Sequence, residues 1–189
     1  MISSTTSCLS LPRGRGASMG VGRVLFTADQ IARRVAELAA DIRRGGPEGP
    51  LTVLAILHGA AVFVNDLLQH LDGETTVSLI EASSYGDGVV SGGRVVLNGC
   101  SRLDLAGRDV LIVDDIADTG HTLAAVRRAV EAMEPRSVRT CVLLDKPSRR
   151  RIPVTIDYCG FEVPDVFVVG YGLDHAGRYR DLPHLARLD

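Results

Sequence analysis

The chain has 189 residues, of which 46% are hydrophobic and 23% are charged, and its formal net charge is -2. This length suits a single domain, and the apolar fraction is large enough to build a sizeable core. The nearly balanced charge gives no general electrostatic reason to expect nucleic acid or an anionic membrane as a partner. No run approaches the roughly eighteen apolar residues that a membrane-spanning helix needs.

The first residues and the cysteines bear on the compartment. Residues 1–22 are rich in Ser, Thr, Gly and Arg without an apolar segment, which predicts a disordered tail rather than a secretory signal, with Met19 as an alternative start. A single folded domain is then expected over 23–189. The four cysteines include no C-x-x-C pair, which argues against a structural zinc site. We expect Cys141 and Cys159 to be buried reduced thiols, which fits the cytoplasm.

The first half of the chain predicts a helix and a buried strand, followed by a second helix and strand. Thr27 and Gln30 have the spacing of a capping box, and apolar residues recur at helical spacing until the glycines at 45 and 46. The continuous apolar run 51–57 is typical of a strand covered on both faces. The next elements are predicted as a helix over 61–71 and a strand over 76–82.

The second half predicts the alternation of an α/β sheet. The glycine-rich stretch 84–93 predicts a mobile loop or the tip of a hairpin. The elements predicted after it are a strand over 109–114, a helix from about 119 to 134, and strands near 138–144, 154–161 and 166–170. Strands that alternate with helices indicate a mostly parallel central sheet flanked by helices on both faces.

The most informative stretch is VLIVDDIADTGHT, residues 110–122, in which a buried strand leads through a short loop into a helix. Free backbone N–H groups at a helix N-terminus favour an anion. Gly120 would let a phosphate approach the backbone, and Thr119 and Thr122 would add hydroxyl donors. The loop therefore predicts a phosphate site beyond the carboxyl ends of the strands.

The two acids that end this strand, Asp114 and Asp115, would repel a phosphate and need another partner. Ribose hydroxyls can donate to carboxylates, and Mg²⁺ can bind them. One loop would thus bind a phosphate on its amides and a sugar diol on its acids, and ribose 5-phosphate carries both groups. The non-functional alternative is a strand-to-helix turn with solvated acids and a capping side chain.

This segment resembles the phosphoribosyl pyrophosphate motif of the type I phosphoribosyltransferases. Four later segments resemble the hypoxanthine-guanine branch of that family: LLDKPSRR (143–150), DYCGFEVPD (157–165), FVVGYGLD (167–174) and YRDLPHL (179–185). The resemblance runs from about residue 24 to the end of the chain. It implies the type I phosphoribosyltransferase fold, an α/β fold with a mostly parallel central sheet flanked by helices and a small hood built from the chain ends.

The resemblance also implies a reaction of purine salvage, catalysed by a Mg²⁺-dependent pentosyltransferase. The 5-phosphoribosyl group of phosphoribosyl pyrophosphate would pass to N9 of hypoxanthine or guanine, giving IMP or GMP and pyrophosphate. Asp118 matches the proposed general base at N7 of the purine, and a helix cap is its alternative role. Lys146 matches the lysine that reads the 6-oxygen, Phe167 matches the aromatic residue that stacks on the purine, and the backbone of Val168 is expected to pair with the purine edge.

Other matches concern the leaving group and closure of the site. Asp174 matches a carboxylate that binds a second Mg²⁺ on the pyrophosphate, and Arg180 matches an arginine that reaches the same group. Ser84 and Tyr85 match the start of a loop that closes over the reacting centre and excludes water. The carboxylates expected to hold metal are Asp174, Asp114 and Asp115.

Two positions depart from the family pattern. Leu57, His58 and Gly59 stand where the family usually has Leu-Lys-Gly, and His121 stands where a lysine often follows Thr-Gly. Each change replaces a permanent charge near the phosphates with a side chain that titrates near neutral pH. Affinity for pyrophosphate and its pH dependence are therefore expected to differ from the family pattern.

Two rival functions remain open on the sequence alone. One is a phosphoribosyltransferase that prefers pyrimidines or xanthine. The other is a non-enzymatic RNA-binding protein that resembles a pyrimidine regulator on the same fold, although the charge of -2 gives it little support. Lys146 and Phe167 are the discriminating features, because both serve a 6-oxopurine. By resemblance we also expect a homodimer or homotetramer.

Overall fold

A computed structural model of the protein describes residues 20–46, 49–57, 59–84, 95–98 and 103–189. The predicted site residues His58 and Tyr85 lie outside these ranges. So do positions 85–93 of the glycine-rich stretch, and the predictions for them are not tested by the fold.

The described chain forms nine strands, three α-helices and a short 3-10 helix. In chain order they are β1 (Val21–Phe26), α1 (Ala28–Gly45), β2 (Leu51–Leu57), α2 (Ala61–His70), β3 (Thr75–Ser84), β4 (Val95–Asn98), β5 (Asp109–Ala117), α3 (His121–Glu131), β6 (Ser137–Asp145), the 3-10 helix (Pro147–Arg149), β7 (Tyr158–Glu162), β8 (Val168–Val169) and β9 (Leu185–Leu188).

A six-stranded sheet in the order β4-β3-β2-β5-β6-β7 forms the centre of the fold. Five strands run parallel, and only β4 at the edge is antiparallel to its neighbour. The predicted α/β architecture with a mostly parallel central sheet is confirmed. Because the strands are parallel, their carboxyl ends meet at one edge of the sheet, which is where such folds bind ligands.

Helices cover the sheet on both faces, which explains why β2 is almost entirely apolar. Val53 and Ala55 pack in the core beneath α1 and α2. Leu54 and Ile56, which point to the opposite face, pack in the core beneath α3. A strand buried on both faces does not alternate polar with apolar residues, and Thr52 is the one polar residue of β2.

The capping box predicted at the start of α1 is present. The Thr27 hydroxyl oxygen accepts the backbone N–H of Gln30 at 3.3 Å, and the Gln30 side-chain oxygen accepts the backbone N–H of Thr27 at 2.9 Å. The buried face of the helix then consists of Ile31, Val35, Leu38, Ala39 and Ile42.

Both chain ends enter a second, three-stranded sheet in the order β1-β9-β8, which is antiparallel throughout. This sheet is the hood expected from the chain ends. Phe26 of β1 stacks on Phe161 of β7 with ring centroids 4.0 Å apart, which joins the hood to the edge of the central sheet. Val21 pairs with Leu188 in the hood, so the predicted tail 1–22 is too long by Val21 and Gly22.

The largest differences from the predicted boundaries occur in three elements. α3 begins at His121 and ends at Glu131, rather than spanning about 119–134, because Gly120 has a left-handed φ of 88° that cannot continue a helix. β5 continues to Ala117, three residues beyond its predicted end. β7 begins at Tyr158 rather than 154, since its pairing with β6 starts there. None of the helices that the structure describes is long and apolar enough to cross a lipid bilayer.

Candidate active site

A cavity of about 240 Å³ lies at the carboxyl ends of β2 and β5 and at the loop that leads into α3. The sequence-predicted residues that line it are Leu57, Asp114, Asp115, Asp118, Thr119, Gly120 and Thr122. His121 is the first residue of α3 but is not among the residues that line this cavity. The structure thus brings together the residues predicted to bind ribose 5-phosphate.

Gly120 is the N-cap residue of α3, and its conformation prepares the helix for an anion. Since glycine has no side chain that could cap the helix, the N–H groups of the first turn stay available to a ligand. A Cβ at Gly120 would lie 2.5 Å from the carbonyl oxygen of Ile152 and would be strained at a φ of 88°. Only glycine fits this turn without rearrangement.

The loop before α3 is fixed by the segment that follows the 3-10 helix. The backbone N–H groups of Arg151 and Ile152 both donate to the carbonyl of Thr119 at 3.0 Å. The Arg150 guanidinium donates to the carbonyls of Asp118 at 3.1 Å and Ala117 at 3.2 Å and pairs with a carboxylate at the end of β6. These contacts hold the loop between β5 and α3 in place.

The acids at the end of β5 are buried. Asp114 is 7% exposed, and its carboxylate accepts the backbone N–H of Asp115 at 3.0 Å. Burial raises the pKa of both carboxyls, and that of Asp114 rises well above its ordinary value because the negative charge of Asp115 adds to the effect. Among the described residues, no arginine or lysine forms an ion pair with Asp114. A diol or a cation would supply the partner that the protein itself does not.

The oxygen-only donor set of Asp114 and Asp115 fits Mg²⁺, a hard cation. Across the described ranges, no cluster of three or more Asp, Glu, His or Cys side chains forms a complete metal site. Mg²⁺ is commonly held through one or two carboxylates and completed by waters and substrate phosphates. The residues present therefore fit a metal that arrives with a phosphorylated ligand.

Gly59 follows β2 and faces the acid pair. A Cβ at Gly59 would overlap the carboxylate of Asp115, and a Cβ at Gly172 would lie 2.9 Å from the carbonyl oxygen of Gly59. These contacts show why the loop after β2 needs glycine at position 59, beside the carboxylate of Asp115. Ser84, another predicted site residue, ends β3, where its backbone pairs with Val95.

A second cavity, of about 330 Å³, adjoins the first. Its lining consists of Ile116, Asp118, Lys146, Arg149, Asp165, Val166, Phe167, Val168, Leu173 and Asp174. Five of these residues are apolar and five are charged, so the cavity combines apolar walls with convergent charged groups, as a small-molecule site does. Asp118 and Ile116 line both cavities, so the two form adjoining parts of one site.

Lys146 and Phe167 present different chemistry to this second cavity. Lys146 is 6% exposed and donates to the carbonyl of Val166 at 2.7 Å. It is the only lysine of the chain, which otherwise uses arginine for its cations. Phe167 is 48% exposed, and its ring edge meets His175 at a centroid distance of 5.1 Å, so an aromatic face is available for stacking.

Asp174 and Arg180, predicted to serve the pyrophosphate, form an ion pair of 2.6 Å. The other carboxylate oxygen of Asp174 accepts the backbone N–H of Gly177 at 2.6 Å, and Arg180 also donates to the carbonyl of Gly172 at 3.0 Å. Asp174 lines the second cavity, whereas Arg180 lines neither of the two. The pair therefore stands at the rim of the site.

The sequence assigned no role to two arginines that the structure places against the loop. Arg149 Nε donates to Asp118 Oδ1 at 2.9 Å, and Arg150 holds the backbone of the loop as described above. Both belong to the segment LLDKPSRR, in which the resemblance implies a role for Lys146 only. Asp118 is not a helix cap, because Gly120 occupies the N-cap position.

The site defines a protein of the nucleotide-forming or nucleotide-binding class. It has a helix N-terminus that suits an anion, buried acids that suit a sugar diol, and an adjoining cavity with an aromatic side chain. Comparison with known proteins narrows this class. The model of the phosphoribosyl transferase domain family matches residues 25–176. The hypoxanthine-guanine phosphoribosyltransferase of Mycobacterium avium is 44% identical over 173 residues, covering 88% of this chain and 85% of the relative.

Two further similarities extend over the same part of the chain. The hypoxanthine-guanine phosphoribosyltransferase of Bacillus subtilis (strain 168) is 38% identical over 168 residues, covering 89% of this chain and 93% of the relative. A crystal structure of a hypoxanthine-guanine phosphoribosyltransferase from Bacillus anthracis aligns with a TM-score of 0.85 and 37% identity, covering 90% of this chain and all of that one. The chain belongs to the phosphoribosyltransferase family and has its type I fold.

Proposed function

We propose that this enzyme transfers the 5-phosphoribosyl group from phosphoribosyl pyrophosphate to N9 of hypoxanthine or guanine, in one catalytic domain that serves purine salvage. The observation that carries the proposal is the junction of the two cavities at Asp118. The first cavity suits a ribose phosphate, and the second suits a base with a 6-oxygen. The bond to be made would lie between them.

In this proposal the first cavity binds the sugar half of the donor. The N–H groups of the first turn of α3 and the hydroxyls of Thr119 and Thr122 bind the 5-phosphate, and Gly120 lets it approach. Asp114 and Asp115 accept hydrogen bonds from the ribose hydroxyls. Bound in this way, the ribose would direct its C1 atom towards the second cavity. Binding of the donor would thus orient the reacting atom.

The second cavity would bind the purine. The Lys146 ammonium has donors only, so it suits the 6-oxygen of hypoxanthine or guanine and not the amino group of adenine. Phe167 would stack on the ring, and the backbone of Val168 would pair with the edge of the base. These residues line one cavity, which supports a single binding pose.

Asp118 would accept the proton from N7 of the purine as general base. As that proton moves to the Asp118 carboxylate, N9 attacks C1 of the ribose, and the bond from C1 to pyrophosphate breaks. Electron density released by the N7–H bond makes N9 a better nucleophile. The ribose passes through a state with oxocarbenium character, and the nearby carboxylates stabilise its positive charge.

Magnesium is the cofactor we propose, with Asp114, Asp115 and Asp174 as the carboxylates that would hold it. When bound, it neutralises charge on the leaving pyrophosphate. Arg180, which is ion-paired with Asp174 at 2.6 Å, would contribute a fixed positive charge on the same side. Leu57, His58 and Gly59 would contact the pyrophosphate from the first loop, and Ser84 and Tyr85 would begin the segment that closes over it.

We further propose a homo-oligomer in the cytoplasm. Val77 and Leu79 of β3 point to the sheet face that α1 and α2 cover elsewhere, yet they are 40% and 55% exposed. A second copy could cover them, and light scattering of the parent and a Leu79→Glu variant tests this.

Cys141 and Cys159 are both unpaired, which suits a reducing compartment such as the cytoplasm.

A substrate panel tests the proposed function. Purified enzyme with Mg²⁺ and phosphoribosyl pyrophosphate is expected to convert hypoxanthine or guanine to its monophosphate and adenine poorly. Xanthine and uracil complete the panel, because they represent the rival preferences. Adenine turned over as fast as hypoxanthine, or turnover of uracil alone, would contradict the proposal.

A further inference from the structure

The Arg149 side chain contacts the residue at which the two cavities meet. Its Nε donates to Asp118 Oδ1 at 2.9 Å and lies 3.6 Å from a carboxylate oxygen of Asp165. Arg149 ends the 3-10 helix that directly follows Lys146, and it lines the second cavity together with both acids. The guanidinium thus reaches the proposed general base from the base-binding side.

The second cavity is open while this contact is made. Its volume is about 330 Å³ with Arg149 in place, within the range of about 300–1,000 Å³ that is common for small-molecule sites. A bicyclic purine therefore does not require the arginine to leave. Arg149 forms part of the wall, and the ion pair can persist in the substrate complex.

The contact uses one of the two oxygens of the Asp118 carboxylate. A guanidinium at this place remains a cation, because the hydrogen bond that it donates to Asp118 and the nearby charges of Asp118 and Asp165 raise its pKa further above its ordinary value. Both side chains of the pair are partly exposed, at 42% and 38%, so the pair contributes little to folding. Its effect is expected in catalysis rather than in stability.

We propose that Arg149 is a positioning residue that fixes the Asp118 carboxylate at the junction of the two cavities, binding Oδ1 so that Oδ2 is left for the purine. This inference rests on the proposed role of Asp118 as general base. Arg149 itself acts through Asp118 and needs no contact with the substrate. The backbone of Asp118 is already held by Arg150, so Arg149 supplies the remaining constraint on the side chain.

A double-mutant cycle with Asp118→Asn tests the proposal. Arg149→Gln is expected to lower the single-turnover rate on the order of 10- to 100-fold, as for a misplaced catalytic group, with a much smaller change in the KM of the purine. Arg149→Lys should recover part of the rate, since lysine supplies a cation without the rigid fork. In the Asp118→Asn background, Arg149→Gln should change the rate by less than about twofold.

Arg128→Gln is the matched control, because it removes the same charge from an exposed position on α3 and should leave the rate unchanged. The proposal is overturned if Arg149→Gln leaves the rate unchanged, or if it lowers the rate by the same factor with and without Asp118. A normal rate in the single variant Asp118→Asn would instead refute the role of Asp118 itself. The two failures are therefore distinguishable.

Discussion

The amino and carboxyl ends of the central strand β5 differ in how their buried aspartates are partnered. At the amino end of β5, Asp109 is 4% exposed and is fully partnered, since it forms an ion pair with Arg136 and accepts the hydroxyl of Ser137 at 2.5 Å. At the carboxyl end of the same strand, Asp114 is 7% exposed, accepts the backbone N–H of Asp115 and lies against the Asp115 carboxyl, with no cationic partner among the described residues. Five positions along one strand separate an acid that is paired with a cation from an acid that is not.

This difference separates structural acids from ligand-binding acids. A buried carboxylate without a partner is unfavourable, and its pKa rises accordingly. At the carboxyl ends of the strands, a bound diol or cation would remove this unfavourable free energy of burial. Substitutions at the amino edge should therefore change stability alone, whereas substitutions at the carboxyl edge should change activity first.

The largest expected effect at the carboxyl edge belongs to Asp118. Asp118→Asn is predicted to lower kcat by roughly ten- to ten-thousand-fold, the range for loss of a general base. Binding of phosphoribosyl pyrophosphate should stay largely intact, because the 5-phosphate is bound by backbone N–H groups. Single-turnover rates and donor dissociation constants measure the two quantities. An unchanged rate under conditions where chemistry limits turnover would contradict the role.

A smaller effect is expected at Lys146, which follows β6 at the same edge. Lys146→Met keeps the length of the side chain but removes the donors for the 6-oxygen. The loss should correspond to a charged hydrogen bond, about 1.5–3 kcal/mol, or roughly 10- to 100-fold in kcat/KM for hypoxanthine. The preference over adenine should shrink with it. If adenine and hypoxanthine lose activity equally, Lys146 does not read the 6-oxygen.

The smallest expected effect is on stability as a function of pH. Because the pKa of Asp114 is raised in the folded state, the unfolded chain releases a proton above about pH 4 that the folded chain keeps. The unfolded state then binds fewer protons, so stability falls as pH rises, by up to about 1.4 kcal/mol per unit for one group, until the raised pKa is passed.

Urea unfolding between pH 5 and pH 8 measures this slope. The Asp114→Asn variant lacks the titrating group, so its stability should fall less steeply than that of the parent over the same range. Equal slopes in parent and variant would show that Asp114 is not the group responsible.

The sequence predicted the sheet better than the hood. Runs such as 51–57 are easily recognised, since a strand buried on both faces is almost entirely apolar and Thr52 is the one polar residue of this run. β1 is half-exposed, and β9 has four residues, so neither has a local pattern, and both exist because the chain ends pair with each other. β4 was missed for a similar reason, as a four-residue edge strand.

Within the site, the sequence predicted which residues lie together where a single segment carries them. Asp114, Asp118 and Gly120 lie close in sequence, and a strand followed by a helix fixes where they go. The roles of Arg149 and Arg150 depend instead on how the end of β6 approaches the loop before α3, a long-range contact that spacing does not encode. The ion pair of Asp174 with Arg180 joins residues near in sequence, across a local turn in which His175 and Arg178 pair through their backbones.

The most direct test compares one substitution at the two ends of β5. Asp109→Asn should lower the free energy of unfolding by about 1–3 kcal/mol, because it breaks a buried, partnered carboxylate. Asp114→Asn should raise it at pH 7.5 in the absence of ligands, since asparagine does not ionise and so removes the advantage that ionisation of Asp114 gives to the unfolded chain. Chemical unfolding of both variants beside the parent measures the signs. Opposite signs are predicted, and destabilisation of similar size at both ends would contradict the account.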